Sequence, residues 1–273
     1  MSLSLICGPS GTVITGETEE QLVSNVQAHA REHEDTELSR EHILTELRRR
    51  DPAQPPKLCD TSDMVIVHRM FRRECALLPQ LVAAVPVGDV ARARTIARHV
   101  REVLDMLHHH HLGEDELLWP RLSTRTRIHA ELLARMESQH HVLAELLEHV
   151  ATALPEWRYT PAAHTGAPLT VLLEQISHGL DEHFDEEEAT ILPIVERVIT
   201  AAEYLEVGQR GLQSITLTRR LIMLGYLLED TTPRERADFL AAVPAPARFA
   251  FRLIGRRQHR LEATRLRGPR RSV

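Results

Sequence analysis

The sequence predicts an all-α protein: an antiparallel up-down four-helix bundle with a small α+β N-terminal unit and extra C-terminal helices. Three observations lead there. Between residues 61 and 192, apolar residues recur at steps of three and four, the period of a helix with one buried face. Breaks at Pro86-Val-Gly88, Trp119-Pro120 and Pro155–Pro168 divide this stretch into four segments of comparable length. Each segment also carries a histidine in its apolar seam, where an unpartnered polar group would be costly.

Residues 1–57 read as a separate unit with its linker. Leu3–Cys7 and Thr12–Thr15 are short strand candidates split by Gly8-Pro9-Ser10-Gly11, a turn signal. Thr18 is placed to N-cap a helix running to about His33, with Glu19 and Glu20 in its first turn. A second helix is expected from Ser39 to Arg49. His29 and His33 share the helical spacing of a metal pair, but two solvated histidines on a polar face is the preferred reading. Asp51-Pro-Ala-Gln-Pro-Pro-Lys57 is an extended, proline-rich linker and a domain boundary.

Residues 58–200 form the bundle. Helix A is expected over 61–84, with a kink at Pro79, and its seam runs Met64, His68, Phe71, Cys75, Leu78. Helix B, over 89–118, has the seam Val100, Val103, Leu107, His110, Glu114, Leu117 and should stop at Trp119-Pro120. Gly113 inside it suggests close approach of a ligand or solvent to the backbone. Helix C, over 125–153, has the seam Leu133, Met136, His140, Leu143, Leu147, Val150. The stretch Pro155–Pro168 reads as the longest irregular connection and a cover over one end. Helix D, over 168–192, has the seam Leu173, Ile176, Leu180, His183, Glu187 and is expected to continue past Pro193.

The site follows from these seams. His110 and Glu114 are four apart on one helix face, as are His183 and Glu187. Each pair offers one nitrogen and one oxygen to a metal ion, and His68 and His140 add a nitrogen apiece. Taken alone, a histidine such as His68 or His140 is more often a satisfied core residue than a ligand. With antiparallel helices rising about 1.5 Å per residue, however, all four histidines fall within ~10 Å of one level. His111 flanks the seam as a supporting donor, while His99, His108, His109 and His141 are assigned to the surroundings or the surface.

The set His68, His110-x-x-x-Glu114, His140 and His183-x-x-x-Glu187, with Pro120 and Pro193 closing the two paired motifs, resembles the hemerythrin-like (HHE) superfamily. It is most similar to the four-His, two-Glu branch, over residues ~60–195. The resemblance implies a non-heme centre of two iron ions, oxo- or hydroxo-bridged, with both glutamates bridging and the histidines capping. Manganese or zinc is second on donor type. It further implies a small diatomic or peroxide ligand, an unidentified electron donor, and a role in oxidative or nitrosative stress or iron homeostasis. The oxygen-carrying hemerythrins use five histidines, so reversible oxygen carriage is not the expectation. An oxygen- or iron-binding sensor without turnover stays open as the alternative. Ferritin-like di-metal proteins use Glu-x-x-His twice. Among the seam histidines that spacing occurs once, at Glu137 and His140, so this reading is weaker.

Residues 201–273 are expected to be helices packing on the bundle. Leu221–Leu228 is apolar enough to need a partner surface, and Thr232-Pro-Arg-Glu235 is a capping box. The last helix is arginine-rich, with Phe249, Leu253 and Leu261 as its expected packing face. A net charge of −6 argues against general nucleic-acid binding. Three cysteines without a CxxC pair, and no signal peptide or membrane-length apolar run, give a cytoplasmic expectation.

Overall fold

The computed structural model describes residues 3–7, 12–33, 38–48, 57–126, 129–213 and 215–268. At the N-terminus, β1 (Leu3–Cys7) pairs antiparallel with β2 (Thr12–Gly16), with Leu5 opposite Ile14. Helix α1 (Glu19–His33) starts where the Thr18 hydroxyl accepts from the Gln21 amide at 3.2 Å. Helix α2 (Arg40–Arg48) is opened in the same way by Ser39. Leu22, Val26 and Ala30 of α1 and Ile43 of α2 form a small buried cluster of their own. The His33 side chain and residues 51–56 of the proline-rich linker lie outside the described residues.

The bundle consists of α3 (Ser62–Ala83), α4 (Val90–Gly113), α6 (Ala130–Tyr159) and α7 (Ala163–Glu186). Each packs on its neighbours in sequence, and α7 closes the ring against α3. Short connections impose the antiparallel arrangement. Between α3 and α4, Gly88 takes φ 80°, and Asp89 caps α4 through a 2.9 Å bond from the Arg92 amide.

Two expectations about the helix ends are corrected. The Pro155–Pro168 stretch is no loop or cover. Helix α6 runs through Pro155 to Tyr159 and α7 begins at Ala163, so only residues 160–162 connect them. Gly166 answers to packing rather than to a turn, since a Cβ there would sit 3.3 Å from the Trp157 indole nitrogen. Nor does helix B stop at Trp119-Pro120. A five-residue π-helical turn, Glu114–Leu118, follows α4 and leads into α5 (Trp119–Arg125). The same device joins α7 to α8 (Leu192–Val198) through Glu187–Ile191. In each case the proline six residues after the glutamate lacks the N–H that an α-turn would use. The preceding amide bonds the glutamate carbonyl five residues back instead, Trp119 to Glu114 and Leu192 to Glu187.

The C-terminal helices are α9 (Ala201–Leu212), α10 (Leu217–Leu227), α11 (Pro233–Ala242), α12 (Ala245–Ala250) and α13 (Arg256–Arg267), with a further π turn, Phe251–Gly255, before α13. The predicted capping box of α11 is present, Thr232 and Glu235 each bonding the other's backbone amide. Helix α10 buries Met223, Leu224 and Tyr226 against α13 and α3. The expected packing face of the last helix is wrong: Phe249, Leu253 and Leu261 are all more than half exposed. The π turn rotates the chain, and Phe251, Gly255, His259 and Leu266 are buried instead. Gly225 makes that crossing feasible, because a Cβ there would lie 2.3 Å from the His259 ring. Ion pairs of Arg69 with Glu235, Arg73 with Asp230 and Arg267 with Glu74 tie these helices to α3.

Candidate metal centre

The bundle interior holds two separate apolar clusters. One gathers Phe71, Leu107, Leu143, Leu180 and Phe184; the other gathers Leu118, Trp119, Met136 and Ile191. Following each helix from one cluster to the other crosses the predicted polar residues. His110 and Glu114 lie between Leu107 and Leu118, His140 between Met136 and Leu143, and His183 and Glu187 between Leu180 and Ile191. His68 and His183 are fully buried, as are Glu114 and Glu187.

The structure brings all six predicted residues together. Glu114 reaches two helices: Oε1 is 3.4 Å from His110 Nε2 and Oε2 is 3.5 Å from His140 Nε2. Glu187 does likewise, with Oε2 at 3.4 Å from His68 Nε2 and 3.6 Å from His183 Nε2. Each carboxylate therefore stands between a histidine of one half-bundle and a histidine of the other. The π turns begin at these two glutamates.

The outer nitrogens of three rings are engaged. His140 Nδ1 lies 2.6 Å from Asp115 Oδ1, His68 Nδ1 lies 3.0 Å from Glu188 Oε1, and His183 Nδ1 lies 2.9 Å from Gln139 Oε1. These oxygens only accept, so each Nδ1 donates and each Nε2 turns a lone pair inward. Sequence reasoning missed Asp115, Glu188 and Gln139. The first two had a signal: an acid directly follows the seam glutamate in both motifs.

His111 is the other residue whose place was misjudged. It is buried, not flanking, and its ring stacks on His140 at 4.2 Å. Donor atoms of His111, Glu114, His140 and His183 lie within 4.8 Å of one another, and those of His68, His110 and Glu114 form a second such group. The widened turn at Glu114 changes the helix phase, so that Leu118 replaces the expected Leu117 in the core. By contrast, Glu137, His108 and His141 are exposed, which removes the lone Glu-x-x-His spacing from the site. His99 is buried but pairs with Glu74, away from the cluster. Gly113 faces no ligand either; a Cβ there would lie 3.2 Å from the Val207 carbonyl of α9.

The donor set fits a bound cation. Both oxygens of Glu114 and of Glu187, and Nε2 of His68, His110 and His111, are buried without a hydrogen-bond partner. His140 and His183 bring two Nε2 atoms to 3.1 Å, although each already donates through Nδ1. Two facing lone pairs repel unless a cation lies between them. Burial, with Glu187 and Asp115 adding, pushes the Glu114 carboxyl well above the usual carboxylate range, and burial also raises Glu187. Burial and neighbouring imidazoles hold His110 and His111 well below the ordinary histidine range and bring His183 to about 2. These residues by themselves thus favour neutral acids at Glu114 and Glu187 and neutral rings at His110, His111 and His183, and a cation reverses the preference of the acids.

Fold and donors together define a helical-bundle cation-binding protein. Residues 59–195 match the family model of the hemerythrin HHE cation binding domain, and the chain belongs to that family. Comparison with curated proteins and with solved structures gave no match. Among the described residues, no helix is long and apolar enough to cross a membrane.

Proposed function

We propose that this chain is a non-heme di-iron protein whose bundle centre reacts with nitric oxide, peroxide or oxygen. The observation that carries this reading is the pair of buried, otherwise unpartnered carboxylates, Glu114 and Glu187, each set between histidines of both half-bundles. His68 and His110 would hold one ion, and His140 and His183 the other with His111 as a fifth histidine donor. Both glutamates would be shared. Imidazole and carboxylate donors without thiolate suit iron, with manganese or zinc behind it. When bound, the metals supply Lewis acidity and redox equivalents.

The chain's own part is orientation and exclusion. Asp115, Glu188 and Gln139 hold the Nδ1 protons and so keep three Nε2 lone pairs aimed inward. Phe71 and Phe184 on one side, and Trp119 and Met136 on the other, keep the cluster dry. The split of two histidines against three leaves fewer protein donors on the His68 and His110 side, where a small ligand would enter. Turnover would draw on an external electron donor. A cytoplasmic role in oxidative or nitrosative stress, or in iron handling, agrees with Cys59 and Cys75 being free thiols.

One observation favours a second reading. With His111 the cluster offers five histidines and two carboxylates, the histidine number of the oxygen carriers, which points to binding or sensing without turnover. Stopped-flow mixing of the reduced, iron-loaded chain with each oxidant separates the two. Net consumption over repeated additions supports the reactive centre. A spectrum that recovers fully on removing oxygen, with nothing consumed, sinks it in favour of the binding reading.

A further inference from the structure

On α4, eleven residues before His110, the C-terminal helices close over a second polar cluster around His99. At 1.5 Å of rise per residue this is about 16 Å along the helix from the bundle centre. His99 is buried, and its Nε2 lies 3.1 Å from Glu74 Oε2. Glu74 is itself buried and ion-paired with Arg73 and Arg267, so it is a carboxylate and only accepts. His99 Nε2 therefore carries the proton and Nδ1 keeps its lone pair. That Nδ1 is buried without a hydrogen-bond partner.

His99 lines a cavity of about 230 Å³ together with Glu102, Gln258 and Glu262. Donor atoms of His99, Glu102 and Glu262 all lie within 4.8 Å of one another. The buried Gln258 Oε1 lacks a partner as well. Beside the Arg98 and Arg265 side chains, the cavity thus collects four acceptors: an imidazole nitrogen, two carboxylates and an amide oxygen. Three guanidiniums are already near: Arg98 and Arg265 border the cavity, and Arg219 contacts Glu262 at 2.6 Å and Glu102 at 2.7 Å. None of them bonds His99 Nδ1 or Gln258 Oε1. Glu262 Oε1 also accepts from the Tyr226 hydroxyl at 3.0 Å, and each carboxylate still has lone-pair sites beyond these bonds.

We propose that His99 Nδ1, Glu102 and Glu262 hold a divalent cation, distinct from the bundle centre, with zinc the best match. One imidazole and two carboxylates, with room left for water or Gln258, is a zinc-type donor set. The Glu74–His99 pair is the carboxylate–histidine arrangement that fixes the tautomer of a zinc-ligating ring. His99 and Glu102 belong to α4 and Glu262 to α13, so the ion clasps the C-terminal helices to the bundle.

The test is equilibrium dialysis of the full-length chain against zinc with metal counting. The parent chain should bind one equivalent more than Glu262→Gln and one more than His99→Gln, each checked for native helicity. A Glu114→Gln, Glu187→Gln chain should retain that equivalent, which separates it from the bundle centre. Arg219→Gln, which removes the cation that contacts both carboxylates, should bind zinc about tenfold more tightly, ~1.4 kcal/mol. Hydrogen exchange over residues 256–267 should slow on zinc addition in the parent and not in Glu262→Gln. Equal zinc stoichiometry in the parent and both single variants overturns the proposal, as does loss of the equivalent in the Glu114→Gln, Glu187→Gln chain.

Discussion

Asp115 Oδ1 accepts a 2.6 Å hydrogen bond from His140 Nδ1, reaching from the turn after α4 to the middle of α6. Glu188 does the same for His68 on α3 at 3.0 Å. The two halves of the bundle thus repeat one plan. A histidine and a glutamate share a helix face, and the acid directly after the glutamate holds the lone histidine of a neighbouring helix. The carboxylate fixes the tautomer and raises the basicity of the ring it holds.

Asp115→Asn and Glu188→Gln are therefore expected to keep the fold and weaken metal binding by about 10–100-fold. Chelator competition on the loaded protein measures this. Unchanged affinity in both variants would mean that the two acids are surface partners only.

His111 gives the second prediction. Its buried Nε2 lacks a hydrogen-bond partner and its ring stacks on His140, so His111→Ala should lower metal retention alongside His140→Ala. His109→Ala and His141→Ala should retain close to full metal. Metal content of the four purified variants decides it. Full occupancy in His111→Ala would return the donor set to four histidines.

How much of this was legible in the sequence depends on helical phase. His110 with Glu114, and His183 with Glu187, needed only the four-residue spacing, and the seams gave His68 and His140. The interior position of His111 was legible and missed: it lies ahead of the π turn, four residues after Leu107 and seven after Leu104 on the buried face of α4. Pro120 read as a helix stop, whereas helix D was expected to continue past Pro193; each proline is accommodated by the five-residue turn before it. The C-terminal helix failed for a related reason. Its π turn shifts the phase, and the buried set includes Gly255 and His259, which no apolar pattern registers.

A third prediction sets binding against stability. Without a cation, Glu114 and Glu187 are buried carboxyls whose oxygens have no hydrogen-bond partner. Such groups cost on the order of 1–3 kcal/mol each. Glu114→Met and Glu187→Met should raise the thermal midpoint of the chelator-treated protein while abolishing metal binding. A lower midpoint in both would show that the carboxylates hold the metal-free fold together.

The last prediction concerns acid. Glu229, at the end of α10, bonds His259 Nε2 at 2.7 Å and Arg267 at 2.7 Å, both on α13. Burial pushes its carboxyl up, but the hydrogen bonds from His259 and Arg267, with the Arg73 and Arg267 charges, outweigh this and hold it at about 2 against an ordinary 4.5. A depressed carboxyl stabilises the fold above its unfolded value and loses that contribution as pH falls toward the folded one. The contribution, roughly 3 kcal/mol before any residual solvent screening, is thus complete at neutral pH and disappears between about pH 4.5 and 2. Over that window α13 should lose its hold on α10, seen as faster hydrogen exchange in residues 256–267. Glu229→Gln should show the faster exchange already at neutral pH and flatten the acid dependence. An acid dependence in Glu229→Gln as steep as in the parent would place the titrating group elsewhere.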